Sequence, residues 1–337
     1  MKKIFLTVDV ECHNYDMQNQ YLWGNIGNNE YGLRKILELG KELDIPINFF
    51  VDFAEANRYG IDFIIKIVDL IKLYGQGIYL HLHPNFISGD DNRTFLWQYS
   101  YDEQLEILKK GLDSYRVIMK RDNCPSFRIG RYAANENMYK AMNELKMDTI
   151  DLSYCCHCPK MCDISNDKLE TYNKPISYNS LIIFPNTRYV GFKVFKLKKV
   201  FNIDTADTTI NEFKKFLRLN TLKNITFTMH SWNFIKKYFF NKKMLFGNKY
   251  EVKKFIKMVN LAKRSGYKFC NIERDFSKDL VYNDQIIDIC KGLKNTISSF
   301  INNFFRFQRI ARLNVKYFIF YFVFYIIVVF LFIIAIH

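Results

Sequence analysis

The sequence lacks most of the features that assign a function at a glance. It has no internal repeat and no low-complexity block, which excludes solenoid, propeller and linker architectures. It has no helix-turn-helix pattern, zinc-finger spacing or RNA-binding aromatic signature, so no nucleic-acid partner is expected. No secretory leader is expected from the first residues. Lys2 and Lys3 look like its basic start, but residues 4–8 are too short an apolar stretch before Asp9. Acids are outnumbered, with 34 Asp and Glu against 49 Lys and Arg, for a net charge of +15. The densest basic runs are 193–199, 214–223 and 236–243. They suit a solvated surface, an anionic membrane or a phosphate-bearing substrate.

What is present is a long, core-rich chain. Its 337 residues, 49% of them apolar, suffice for one large α/β domain and an appendage. Apolar, β-branched runs at 3–10, 47–51, 78–82, 126–129, 149–152, 224–229 and 267–272 read as buried strands. Helical spacing marks 31–43, 61–74, 101–120, 135–145, 208–219 and 250–265. Strand and helix alternate about seven times, so parallel strands joined by helical crossovers are expected, as an open sheet or a barrel. The stretch 155–205 is irregular, with hairpin pieces at 181–184 and 189–195.

The pattern changes after residue 278. Residues 279–316 read as a basic amphipathic helix, lying on a membrane surface or packed on the domain. Residues 317–336 are apolar and uncharged, and at about 1.5 Å per residue they match a hydrocarbon core of roughly 30 Å. A C-terminal transmembrane anchor at 317–337 is therefore expected. Arg306, Arg309, Arg312 and Lys316 precede it, which places the body, 1–278, in the cytoplasm. The eight cysteines are then expected to be reduced.

Chemistry-bearing residues gather at strand ends, where α/β proteins build their sites. Asp9 and Glu11 lie two apart, so both emerge on one face of the first strand. Such acids are paired or hold a cation, unless the strand end simply meets solvent. His81 and His83 repeat that spacing and make a natural start for a metal site. Arg128 follows Phe127, and a buried arginine needs a carboxylate such as Asp9. Gly130 either allows a close approach or makes a plain turn. Asp151 closes a fifth strand, and His230 ends an apolar one beside Trp232. Cys155, Cys156, His157, Cys158 and Cys162 resemble half of a zinc knuckle, but no second half follows.

In order and setting, Asp9-x-Glu11, His81-x-His83, Phe127-Arg128, Asp151 and Met229-His230 resemble the polysaccharide deacetylase superfamily, carbohydrate esterase family 4, over roughly residues 3–275. The resemblance implies a distorted (β/α)7 barrel. It also implies a hydrolase that removes an N-acetyl group from a sugar, with a divalent metal, expected to be Zn²⁺. Carried over, Asp9 is the general base, Glu11 and His81 are metal ligands, Arg128 orients Asp9, Asp151 supports the site and His230 is the general acid. Two departures stand out. The usual acidic pair is adjacent, and here Val10 intervenes; the usual histidines are four apart, and here Asn85 holds that place. His83 is favoured as third ligand, with Asn85 as the substitute. The expected partners are a carbohydrate, in free or lipid-linked form, and a membrane. The competing readings are a membrane-anchored carbohydrate-binding protein with a degenerate site, and a metal-dependent hydrolase of another bond.

Overall fold

The computed structural model describes residues 1–12, 19–154, 173, 175–178, 181–194, 197–237, 245–276 and 287–290. The chain divides into two compact units. One comprises Met1–Tyr189 and Phe201–Ile287, and the other Val190–Val200 and Asp288–His337. The first holds everything discussed below. In the second, Ile289 N–H donates to Val190 O at 3.3 Å and Lys193 pairs with Asp288 at 3.3 Å. Within the expected 279–316 helix, the described residues Ile287–Asp288 are instead a short strand. No helix among the described residues is long and apolar enough to cross a membrane. The 317–336 run and the Cys155–Cys162 cluster lie outside the described residues. The described cysteines Cys12, Cys124, Cys270 and Cys290 are free and buried.

The first unit is built on a nine-stranded sheet. Its strands are β1 (Lys2–Val10), β2 (Asn48–Asp52), β3 (Gly77–Leu82), β4 (Ser126–Ile129), β5 (Ile150–Asp151), β6 (Ile176–Tyr178), β7 (Leu181–Ile183), β8 (Asn224–His230) and β9 (Tyr267–Phe269). The order is β8-β1-β2-β3-β4-β5-β7-β6, and β9 also pairs with β1. All pairings are parallel except the β6–β7 hairpin. Helices Leu33–Glu42, Ile61–Leu73, Tyr101–Met119, Glu136–Glu144, Ile210–Leu219 and Lys249–Arg264 supply the crossovers. Each strand is covered on one face by helices and on the other by the filled interior, which is why β1 is buried from Ile4 to Val10 and apolar there except at Thr7 and Asp9.

The sheet curls but does not close by a backbone ladder among the described residues. After β7 the chain reaches Thr187, whose N–H donates to Thr226 Oγ1 on β8, and Thr226 N–H donates back to Thr187 Oγ1 at 2.8 Å. This threonine pair, with isolated backbone bonds from Ile203 N–H to Thr187 O at 2.8 Å and from Thr228 N–H to Ile203 O at 2.9 Å, bridges the gap where a regular barrel has a strand pair. This half-barrel of parallel strands and helices fits the distorted (β/α) barrel expected from the motifs.

Register decides which residues face inward. Asp9 pairs with His230 on one side and Phe50 on the other, Asp52 with His81, and His81 with Arg128. Paired residues share a face, so these side chains line the interior. The interior fills from below with Phe5, Phe50, Tyr79, Leu152, Phe184, Cys270 and Ile272. Polar side chains then crown this apolar floor at the C-terminal strand ends.

Candidate active site

The lowest polar layer is an ion pair. Arg128 is fully buried, and its guanidinium lies 4.5 Å above the Phe50 ring. It donates to Asp9 Oδ1 and, at 3.0 Å, to Thr7 Oγ1. Thr7 and Asp9 are two apart on β1, so a single strand presents both acceptors to one fork. The expected Asp9–Arg128 pairing is therefore present. Asp9 Oδ2 makes no hydrogen bond among the described residues and faces His230 Nε2 at 4.0 Å.

Above it lies the donor cluster. Glu11, His81 and His83 are buried, and one ligand atom from each falls within 4.8 Å of the others. His81 Nε2 is 3.2 Å from Glu11 Oε2, and His83 Nε2 contacts the same oxygen. Metal bonds of 2.0–2.1 Å in a tetrahedral site would space ligand atoms by about 3.3 Å, so the His81–Glu11 spacing suits a shared ion. His81 Nδ1–H donates to Arg128 O at 2.8 Å, which leaves the Nε2 lone pair directed at the cluster. On both counts this donor set could hold a metal ion. Burial alone would lower the His81 pKa. The hydrogen bond to Glu11 and the Asp9, Glu11 and Asp52 charges outweigh it and raise the imidazole to about 9. That reflects an electronegative pit with an appetite for a cation.

His83 and Asn85 part ways. His83 joins Glu11, while the Asn85 amide donates to Asp91 at 3.0 Å. His83 stands just beyond β3, and Pro84 then starts the short helix Pro84–Ser88, which carries Asn85 away.

His230 forms the rim. It is about a third exposed, lies 4.0 Å from both Asp9 Oδ2 and Glu11 Oε1, and stacks on Trp232 at 4.8 Å. Tyr21 packs edge-on against Trp232. Opposite, Arg131 and Tyr132 adopt consecutive left-handed conformations, with φ of 57° and 54°. That is a costly turn for two residues with side chains, and it brings the Tyr132 ring to 5.9 Å from the Arg128 guanidinium.

Asp151 stands apart. It pairs in register with Phe127, not Arg128, so its carboxylate points to the helix side of the sheet. There it accepts hydrogen bonds from Ser153 N–H at 3.2 Å, the Ser153 hydroxyl and the Tyr139 hydroxyl at 3.1 Å. Ser153 Oγ in turn accepts from Ile129 N–H at 2.8 Å. Asp151 therefore braces the strand that carries Arg128 and makes no contact with Asp9, Glu11 or the histidines. Burial pushes its carboxyl up to about 6.

Three acids near the site escaped the sequence reading. Asp52, fully buried at the end of β2, accepts from Ala54 N–H and, at 3.4 Å, from His83 N–H. Burial raises it to about 6, against the pull of both histidines. Glu55 accepts from Cys12 N–H, and burial holds its carboxyl well above the usual range. Asp204 accepts from Thr228 Oγ1 at 3.2 Å, two residues before His230. Burial first, then Asp207, lifts it to about 6, while His230 draws it down. A signal existed for Asp52, an acid closing an apolar strand just as Asp9 does. Asp204 comes from a loop and had none.

No protein family and no curated protein matches the chain by sequence. Solved structures do match. A Mycobacterium smegmatis protein provisionally named a polysaccharide deacetylase shares 13% identity over 81% of this chain and 88% of its own, with a TM-score of 0.50. A family 4 pseudoenzyme from Bacillus anthracis shares 14% over 85% and 69%, with a TM-score of 0.45. The chain spans 66% of a mutant form of that pseudoenzyme with restored activity. The chitin deacetylase of Colletotrichum lindemuthianum shares 12% over 84% and 91%, with a TM-score of 0.42. The Bacillus and Colletotrichum likenesses are too distant to argue from, and the first speaks for the fold alone. In fold, and in the motifs that line its interior, the chain resembles the family 4 polysaccharide deacetylases.

Proposed function

We propose that the chain is a metal-dependent hydrolase that removes an N-acetyl group from a sugar. The observation that carries this is the division of labour around Asp9. One of its oxygens is clamped by Arg128, and the other faces His230 with no hydrogen-bond partner among the described residues. A gap of 4.0 Å to His230 is too long for a direct hydrogen bond and leaves the carboxylate available to water or substrate.

Glu11, His81 and His83 would hold a divalent ion, which supplies Lewis acidity toward the acetyl carbonyl and makes water more acidic. Asp9 then accepts a proton from the attacking water through Oδ2. Arg128 holds Asp9 in orientation through Oδ1. His230, on the open side, donates a proton to the departing amine, so that N-acetyl sugar and water give acetate and a free amino sugar. Stacking on Trp232 fixes the imidazole plane. Asp204, held by Thr228 two residues before His230, adds negative charge beside the imidazole.

The substrate we favour is a polysaccharide or lipid-linked saccharide. The apolar run 317–336 and the excess of basic residues support an enzyme held at the cytoplasmic face of a membrane. The reading is tested by acetate release from N-acetylated chito-oligosaccharides, with the purified full chain, before and after chelation and zinc return. Release that is lost on chelation and restored by zinc is expected. Saccharide binding without acetate release under any of these conditions would overturn it in favour of a binding protein.

A further inference from the structure

We infer that Gly130 is a positioning residue. Its missing side chain is what admits His83, rather than Asn85, to the donor set. The inference rests on the metal-site reading above.

Leu82 pairs with Ile129, so His83 and Gly130 are the next residues on adjacent strand ends. Gly130 follows Arg128 by two and would aim a side chain at the same interior. That space is taken. A Cβ on Gly130 would lie 2.6 Å from each of Cγ, Cδ2 and Cε1 of His83. Equal distances to atoms around the ring put the methyl over its face, where a small rotation gives no escape. His83 has little room elsewhere. Its backbone N–H is bonded to Asp52, and its ring is bordered by His81 at 5.1 Å and Phe86 at 6.1 Å between centroids. Gly130 is not among the glycines with positive φ, so alanine meets no backbone obstacle there. The three nearest atoms are all of the imidazole.

This explains how histidines two apart can serve where four apart is usual. His83, just beyond β3, contacts Glu11 with its ring seated where a Gly130 side chain would stand. Only a bare α-carbon at residue 130 lets it lie there.

The test is a four-member cycle of wild type, Gly130→Ala, His83→Ala and the double variant, each as the full chain. Zinc affinity is measured by competition with a chromophoric chelator, and melting is followed in chelator. Gly130→Ala is expected to weaken zinc binding at least about tenfold, in the range for displaced support of a ligand. It is also expected to lower the metal-free Tm by several degrees. In the His83→Ala background the same substitution should change neither quantity, because the ring is gone. If Gly130→Ala fails to fold, the double variant should fold. Wild-type zinc affinity in Gly130→Ala, or an equal melting penalty with and without the His83 ring, overturns the inference and leaves the metal reading intact. So does a double variant that is also unfolded. A wild type that takes up no zinc defeats the metal reading itself, and the inference falls with it.

Discussion

Asp9 and Asp151 look alike in the sequence and differ in the fold. Each is a buried aspartate at the end of a parallel strand. Asp9 faces a guanidinium with one oxygen and, at 4.0 Å, the His230 imidazole with the other. Asp151 faces only the hydroxyls of Tyr139 and Ser153 and one backbone N–H, and burial pushes its carboxyl up to about 6. The difference comes from register. Asp9 lies level with Phe50 and His230, on the inner face, whereas Asp151 lies level with Phe127, on the outer. A buried acid becomes a candidate base when a fixed cation pairs with one oxygen and the other has no hydrogen bond among the described residues. Enclosed by neutral donors, it becomes a brace.

The sharpest way to break this comparison is to neutralise each acid in turn. Asp9→Asn is expected to cut turnover by about 10²–10⁴-fold, the usual contribution of a general base, while metal stays bound. Asp151→Asn should retain most of the activity. Steady-state acetate release from both variants decides it, and equal losses would erase the distinction.

A smaller effect, on stability, comes from the partner of Asp9. Arg128→Met leaves the Asp9 charge buried without its cation and should cost about 3–5 kcal/mol in urea unfolding. Adding Asp9→Asn should recover part of that loss. A cost under about 1 kcal/mol would mean that the pair contributes no more than an exposed ion pair.

The smallest effect is a pH slope. The folded state holds the Asp151 proton up to about pH 6, while the unfolded chain releases it near pH 3.8. Protons are therefore lost on unfolding, and this group's contribution falls as pH rises from about 4 to about 6, then stays flat. The shift corresponds to about 3 kcal/mol. Wild type should lose stability relative to Asp151→Asn across that window. Parallel profiles would show that the carboxyl titrates normally.

Much of this was legible in the chain. Period-2 spacing put Asp9 with Glu11 and His81 with His83 on shared faces, and a buried arginine demanded an acid. The structure brings these together and adds His230 across β1. Asp151 was expected to support the site, and its outward face could not be read because a strand of two residues carries no alternation. Asp52 was passed over although it closes β2 as Asp9 nearly closes β1. Asp204 could not be found, because its place depends on the turn that seats it beside Thr228. The threonine closure of the barrel likewise joins residues far apart in sequence, with no local pattern to announce it.

The most direct test of the metal-dependent site is zinc uptake per chain in wild type, His81→Ala and Asn85→Ala. The account predicts one ion in wild type, its loss in His81→Ala and its retention in Asn85→Ala, whose amide is engaged with Asp91. An absence of uptake in wild type, or uptake indifferent to His81, would contradict it.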